Sequence, residues 1–134
     1  MAIMEGELID LLLTHAPIAA IVGTRVYPAR RAQGSAFPAI VVTRVSGQPL
    51  YADDGEVGLQ DARVQIDSVA MTYTEAKNLA QAVRARLTAF SGVHGDVNFS
   101  YIMLDEERDL PESGANAAEY TTRVAMDFIV WTRG

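Results

Sequence analysis

The sequence predicts an α+β domain: a single-layer, antiparallel-rich β-sheet with two main helices packed on one face. Three observations predict it. Between Ala62 and Ala70, Val64, Ile66, Ser68 and Ala70 alternate with Arg63, Gln65, Asp67 and Val69, the period of two of a strand with one better-buried face. Directly afterwards Ala76, Leu79, Ala80, Val83, Leu87 and Phe90 recur at helical spacing, opened by the capping box of Thr72 and Glu75. Elsewhere helices are few and strands fall in adjacent runs, which favours an antiparallel-rich layer over a doubly wound parallel sheet.

The elements follow in order. Met4, Leu8, Leu11 and Leu12 share one helical face, and Glu5, Glu7 and Asp10 lie early, where the helix dipole favours acid. Pro17 opens a second short turn through Ile18 to Val22, which Gly23 stops. Thr24 to Tyr27 is a short extended piece, and Ala29 to Phe37, holding Arg30, Arg31, Gln33, Gly34 and Ser35, reads as an exposed basic loop. Ala39 to Ser46 has strong β propensity with apolar residues on both faces, so it is expected to be a central strand. Gly47 to Asp61, with Pro49, Asp53, Asp54, Gly55, Glu56 and Gly58, reads as a polar, acidic connection too long for a tight hairpin. After the Ala62 to Phe90 unit, Ser91, Gly92 and Gly95 close the helix. Val97 to Leu104 alternates as a strand, Asp105 to Glu119 reads as a second acidic loop, and Tyr120 to Trp131 is a final strand expected to pair with Val97 to Leu104.

Composition bounds the function. A chain of 134 residues suits one domain, 1–134, that buries roughly two-thirds of its unfolded surface. A net charge of -6 and a pI near 4.8 argue against electrostatically driven nucleic-acid binding, which needs a basic face to release counterions. Lys77 is the one lysine beside ten arginines. Without cysteine, thiolate catalysis, disulfides and sulfur-ligated metal sites are excluded. The apolar start carries Glu5, Glu7 and Asp10 and no early basic residue, so it does not read as a secretory signal, and no apolar run is long enough to span a bilayer. The protein is expected to be cytosolic where it is made, so Asn98-Phe99-Ser100 is a chance glycosylation match.

Candidate chemistry is sparse. His15 and His94 are the histidines, and His94 with Asp96 could form half of a catalytic dyad or of a metal site, yet no motif spacing supports one. Asp105, Glu106, Glu107 and Asp109 lack the ligand offsets and turn glycine of a calcium loop. No phosphate-binding glycine loop, nucleophile elbow or paired-histidine zinc helix is present. No catalytic, metal or cofactor residue is therefore assigned. Arg25, Arg30 and Arg31 stand in different connections from Asp53, Asp54, Asp105 and Glu107. Oppositely charged loops suit head-to-tail contact between copies of one chain, which makes these seven residues the candidate interface.

The runs Ile21-Val22-Gly23-Thr24-Arg25-Val26-Tyr27-Pro28, Phe37-Pro38-Ala39-Ile40-Val41-Val42, Val64-Gln65-Ile66-Asp67, Thr72-Tyr73-Thr74-Glu75-Ala76 and Leu79-Ala80-Gln81-Ala82-Val83-Arg84 occur in an order and spacing that covers nearly the whole chain. In that order the chain resembles the tail-completion, or tail-terminator, family of long-tailed (siphovirus-like) phages and related gene-transfer particles. The resemblance implies a structural virion protein without catalytic residues or cofactor. It would cap the head-proximal end of the tail tube as a homohexameric ring and help join tail to head. The implied partners are further copies of itself, the major tail-tube protein and the head-tail connector or neck protein. No membrane and no specific nucleic acid is implied, although DNA would pass through the ring. The implied location is the head-proximal end of the virion tail, after assembly in the host cytoplasm. A head-to-tail adaptor of the same particle type is the structural alternative. A small ligand-binding or hydrolytic domain using His94, Asp96 and nearby carboxylates is the alternative from another class.

Overall fold

Two long hairpins, joined along their inner strands, make the sheet. The computed structural model describes residues 4–29, 36–52, 55–88, 90–95, 97–113 and 121–133. Its elements are α1 (Met4–Leu13), α2 (Ala16–Val22), β1 (Val26–Pro28), β2 (Ala39–Ala52), β3 (Gly55–Ala70), α3 (Tyr73–Leu87), β4 (Gly92–His94), β5 (Val97–Ser113) and β6 (Thr121–Arg133). The six strands lie in the order β1-β2-β3-β6-β5-β4. Every pairing is antiparallel except the short parallel one between β1 and β2. The result is an antiparallel-rich α+β fold on a curled, mixed sheet.

Sequence periodicity accounts for the helices. Leu8, Leu11 and Leu12 of α1 are buried at the expected spacing. α2 carries Pro17 in its first turn and ends at Gly23, whose φ of 61° turns the chain while its N–H caps the Ala19 carbonyl. At the start of α3, Thr72 Oγ1 accepts from the Glu75 N–H at 3.2 Å and donates to Glu75 Oε1 at 2.9 Å. The α3 residues Ala76, Leu79, Ala80, Val83 and Leu87 are buried, as the spacing predicts. They share one core cluster with Leu8, Leu11 and Ile18 of the other helices and with Ile40, Val64, Ile66, Ile102, Met126 and Phe128 of the strands. Phe90 meets Phe99 edge-on at 5.9 Å, with the Arg86 guanidinium 5.3 Å from the Phe90 ring centre.

The structure corrects the strand boundaries. Gly47 to Asp61, expected as a connection, is mostly ladder: Ser46↔Arg63 to Pro49↔Gln60 pair, followed by Tyr51↔Glu56 and Ala52↔Gly55, which leaves only residues 53–54 between the strands. Register shifts at Arg44/Ser46 and Pro49/Tyr51 mark β-bulges, and the second lets the chain accommodate Pro49, which has no N–H to give. Asp105 to Glu119, expected as a loop, holds β5 as far as Ser113, with Leu110↔Arg123 and Ser113↔Thr121 still paired. Polar side chains mislead here because a strand needs only backbone partners, and its side chains can find charges on both faces. The β5–β6 hairpin forms as expected. The sheet centre is β3 and β6 rather than β2, and β4 went unrecognised because three residues carry no legible alternation.

Candidate interaction surfaces

The register of β3, β6 and β5 decides which charged side chains meet. Ala62, Val64, Ile66, Ser68 and Ala70 of β3 pair with Val130, Phe128, Met126, Val124 and Thr122 of β6, and all but Thr122 are buried. The intervening residues Arg63, Gln65 and Asp67 of β3 therefore share the opposite face with Ala125, Asp127 and Ile129. A network of ions crosses that face. Asp127 Oδ2 lies 3.4 Å from Arg63 Nη1 and 3.2 Å from Arg108 Nη1. Arg63 Nη1 also reaches Asp105 Oδ2 at 2.8 Å, Arg108 Nη2 donates to Gln65 Oε1 at 3.0 Å, and Arg123 Nη1 meets Asp67 Oδ2 at 3.0 Å. The Asp67 side chain is only 4% exposed, so its charge depends on Arg123 and on the Gln65 amide donating at 2.8 Å. The hydrogen bond from Arg63 to Asp105 outweighs burial and, with the nearby charges of Asp105 and Asp127, raises the Arg63 pKa.

A second cluster ties α3 to β5. Lys77 Nζ lies 2.9 Å from Asp109 Oδ1 and 3.0 Å from Glu107 Oε2, and the Tyr73 hydroxyl donates to Asp109 Oδ2 at 2.9 Å. Hydrogen bonds from Lys77 first, and then Tyr73, hold the Asp109 carboxyl below its usual range. The same contacts with Asp109 and Glu107 raise the Lys77 pKa. A third cluster joins α1 to β4. His94 Nε2 lies 2.6 Å from Asp10 Oδ2, and Glu7 completes a group whose ligand atoms lie within 4.8 Å of one another. Gly95 follows with φ of 60°, and a side chain there would collide with the Glu7 carboxylate. Sequence reasoning missed this group because its members lie on elements far apart in the chain.

The structure places three of the seven candidate interface residues. Arg25 sits between α2 and β1, its Nε donating to the Pro38 carbonyl at 2.8 Å and its Nη2 to that of Ile21 at 3.3 Å. Asp105 and Glu107 are strand residues on opposite faces of β5, engaged by Arg63 and Lys77. The structure does not bring either of them to Arg25 within one chain. Arg30, Arg31, Asp53 and Asp54 lie outside the described residues, as does Asp96.

This arrangement is one of ion pairs, apolar packing and long strands. The model of the family described as "Tail completion protein gp17" matches residues 6–133. The chain belongs to that family. This tail-completion protein also shares its fold with a chain of a solved structure titled "Virion of native gene transfer agent (GTA) particle". The TM-score is 0.75 at 19% identity, covering 98% of this chain and 95% of that one. No curated protein matches the chain. The family is one of structural virion components of the tail, and none of the described helices is long and apolar enough to cross a membrane.

Proposed function

We propose that this tail-completion protein acts without catalysis, as a homohexameric ring that caps the head-proximal end of the tail tube and presents a surface to the head connector. The observation that carries the reading is the family match over residues 6–133. Likeness of fold to a component of a gene transfer agent virion supports a role inside an assembled particle of phage or gene-transfer type. In this reading the chain is one domain, 1–134. Its sheet is a single layer with the helices on one face, and the ion network on the other face gives a rigid, polar surface. The partners are the tail-tube protein, the connector and neighbouring copies, and DNA passes through the ring without specific contact.

A closed ring needs two different patches on each copy. Arg25, Arg30 and Arg31 supply a basic patch for one, and Asp53, Asp54, Asp105 and Glu107 supply acid for the other. Exposed ion pairs contribute only about 0–1 kcal/mol each, so the charges orient copies more than they hold them, and assembly completes on the tube end where several contacts act together. Electron microscopy of tails made with the Arg30→Glu, Arg31→Glu variant tests this reading. We expect uncapped or overlong tails that fail to join heads, with the melting transition unchanged. Normally capped, head-joined tails would remove the basic loop from the interface.

A further inference from the structure

Among the described residues, both sides of the sheet leave most of their outermost long strand unpaired. On one side β4 covers β5 only from Val97 to Phe99, and among the described residues no strand pairs with the outer edge of β5 beyond that. On the other side β1 covers β2 only from Ile40 to Val42, with the Ala29 N–H closing the contact on the Val42 carbonyl at 2.8 Å. The outer edge of β2 is likewise without a strand partner among the described residues from Thr43 onward. An open edge presents a row of backbone N–H and C=O groups, which another strand satisfies by simple addition.

We infer that neighbouring copies join edge to edge, the open edge of β5 in one copy adding antiparallel to Thr43–Gln48 of β2 in the next, so that one sheet runs through the assembly. This inference rests on the ring reading and names the contact that would close it. Strand direction supplies the first argument. β2, β3, β6 and β5 are successive antiparallel neighbours, so the two outer strands run in opposite directions. A copy rotated about an axis along the strands keeps those directions and sets its β2 antiparallel to β5 of its neighbour. An odd number of strands would instead force a parallel joint.

Charge supplies the second argument. Between Ser100 and Asp109, β5 carries Asp105, Glu106, Glu107 and Asp109 against its own Arg108; Arg63 and Lys77 pair with Asp105, Glu107 and Asp109, while the Glu106 side chain, 3.7 Å from Arg108, stays 57% exposed. β2 has no acid from Ala39 to Ala52 and carries Arg44, which pairs with Glu5 of α1 at 3.2 Å and keeps its side chain 44% exposed, and the connection that leads into the strand contains Arg30 and Arg31. Two β5 edges set against each other would place like charges opposite, which disfavours an isologous dimer and favours the pairing of unlike edges. Pro49 sets the limit of the ladder, since it has no N–H and precedes a bulge. The remaining six-residue edge spans about 20 Å at ~3.4 Å per residue, interrupted once by the bulge at Arg44/Ser46, which the joining strand must accommodate.

The chain has no cysteine, so introduced thiols report contact directly. Thr43 lies on the same face of the sheet as Tyr101, Met103, Glu106 and Arg108, by its register with Gln65 and theirs with Trp131, Ile129, Asp127 and Ala125. Thr43→Cys is combined in turn with Tyr101→Cys, Met103→Cys, Glu106→Cys and Arg108→Cys, and tails carrying each variant are oxidised and run on denaturing gels. Ring formation is scored separately by electron microscopy. We expect one or two neighbouring pairs to give a ladder of multimers up to the full ring, at least fivefold above either single variant. Rings that form without any cross-linked pair would overturn the edge contact and leave the ring standing. A ladder that stops at dimers, or a cross-link to a different virion protein, would also overturn it. Absence of rings together with absence of cross-links would remove the ring reading itself.

Discussion

Leu79→Ala probes the packing of α3 on the sheet. Leu79 is fully buried in the core cluster, and its helix touches β3, β6 and β5. Truncation removes three side-chain carbons, worth about 2.4 kcal/mol at ~0.8 kcal/mol per buried CH2. A residual cavity of ~40 Å³ adds about 1 kcal/mol at ~24 cal/mol per Å³. The expected loss is therefore about 3–4 kcal/mol, a large share of the roughly 5–15 kcal/mol typical of a domain, yet not enough to unfold one in the middle of that range. In urea, with m of about 1–3 kcal/mol/M, the midpoint should fall by at least about 1 M while m stays constant. Gln81→Ala, on the exposed side of the same helix, should change stability by less than about 0.5 kcal/mol. A helix rotated by about two residues, roughly 200°, would reverse the two results. A loss below about 0.5 kcal/mol at Leu79 would refute the packing argument.

Three further outcomes follow from the ion clusters and the α1–β4 contact. Arg123→Ala strips the buried Asp67 carboxylate of its cation. Because Arg123 is itself partly exposed and Gln65 still donates to Asp67, the urea-measured loss should be about 1–3 kcal/mol, and Asp67→Asn in the same background should recover part of it. The Asp109 carboxyl is held below its usual range by Lys77 and Tyr73, so this contribution is complete above the ordinary aspartate pKa of about 3.9 and disappears as pH falls through the lowered folded value. Carboxyl NMR titration should give Asp109 a midpoint below that of a model aspartate, and Lys77→Met should move it upward. Gly95→Ala should lower the melting temperature, because the added methyl meets Glu7 at a φ that disfavours side chains. If adding Glu7→Ala restores none of that loss, the collision is not its cause.

How much was legible in the sequence differs from element to element. Most of the Ala62 to Phe90 unit was readable, because both its periods and its capping box are local; the helix nevertheless ends at Leu87 rather than Phe90, and Asp67 and Val69 are buried on the face that the alternation left outside. The two acidic stretches were not, since composition reports solvation and says nothing of backbone pairing. Asp105 and Glu107 lie in a strand because β6 supplies its backbone partners, and Arg63 and Lys77, on β3 and α3, meet their charges. The candidate site divides in the same way: separation of basic from acidic residues along the chain was visible, whereas the pairing of Asp105 with Arg63 and of Glu107 with Lys77 was not.

What the sequence determined by itself was the three helices and the cores of the long strands, the α+β class of the fold, the sign of the charge along each segment and the likeness to tail-completion proteins. Those depend on residue type and on spacing within one turn or one strand. Only the tertiary structure decided that the hairpins meet through β3 and β6, that Asp67 and Asp127 are buried with arginine partners, and that Asp10 and Glu7 gather at His94. The same holds for the outer strands, which among the described residues have no strand partner beyond the short β1 and β4. These are relations between residues distant in the chain, set by which apolar faces can be buried together. Local pattern restricts that choice, and the packing of the whole core makes it.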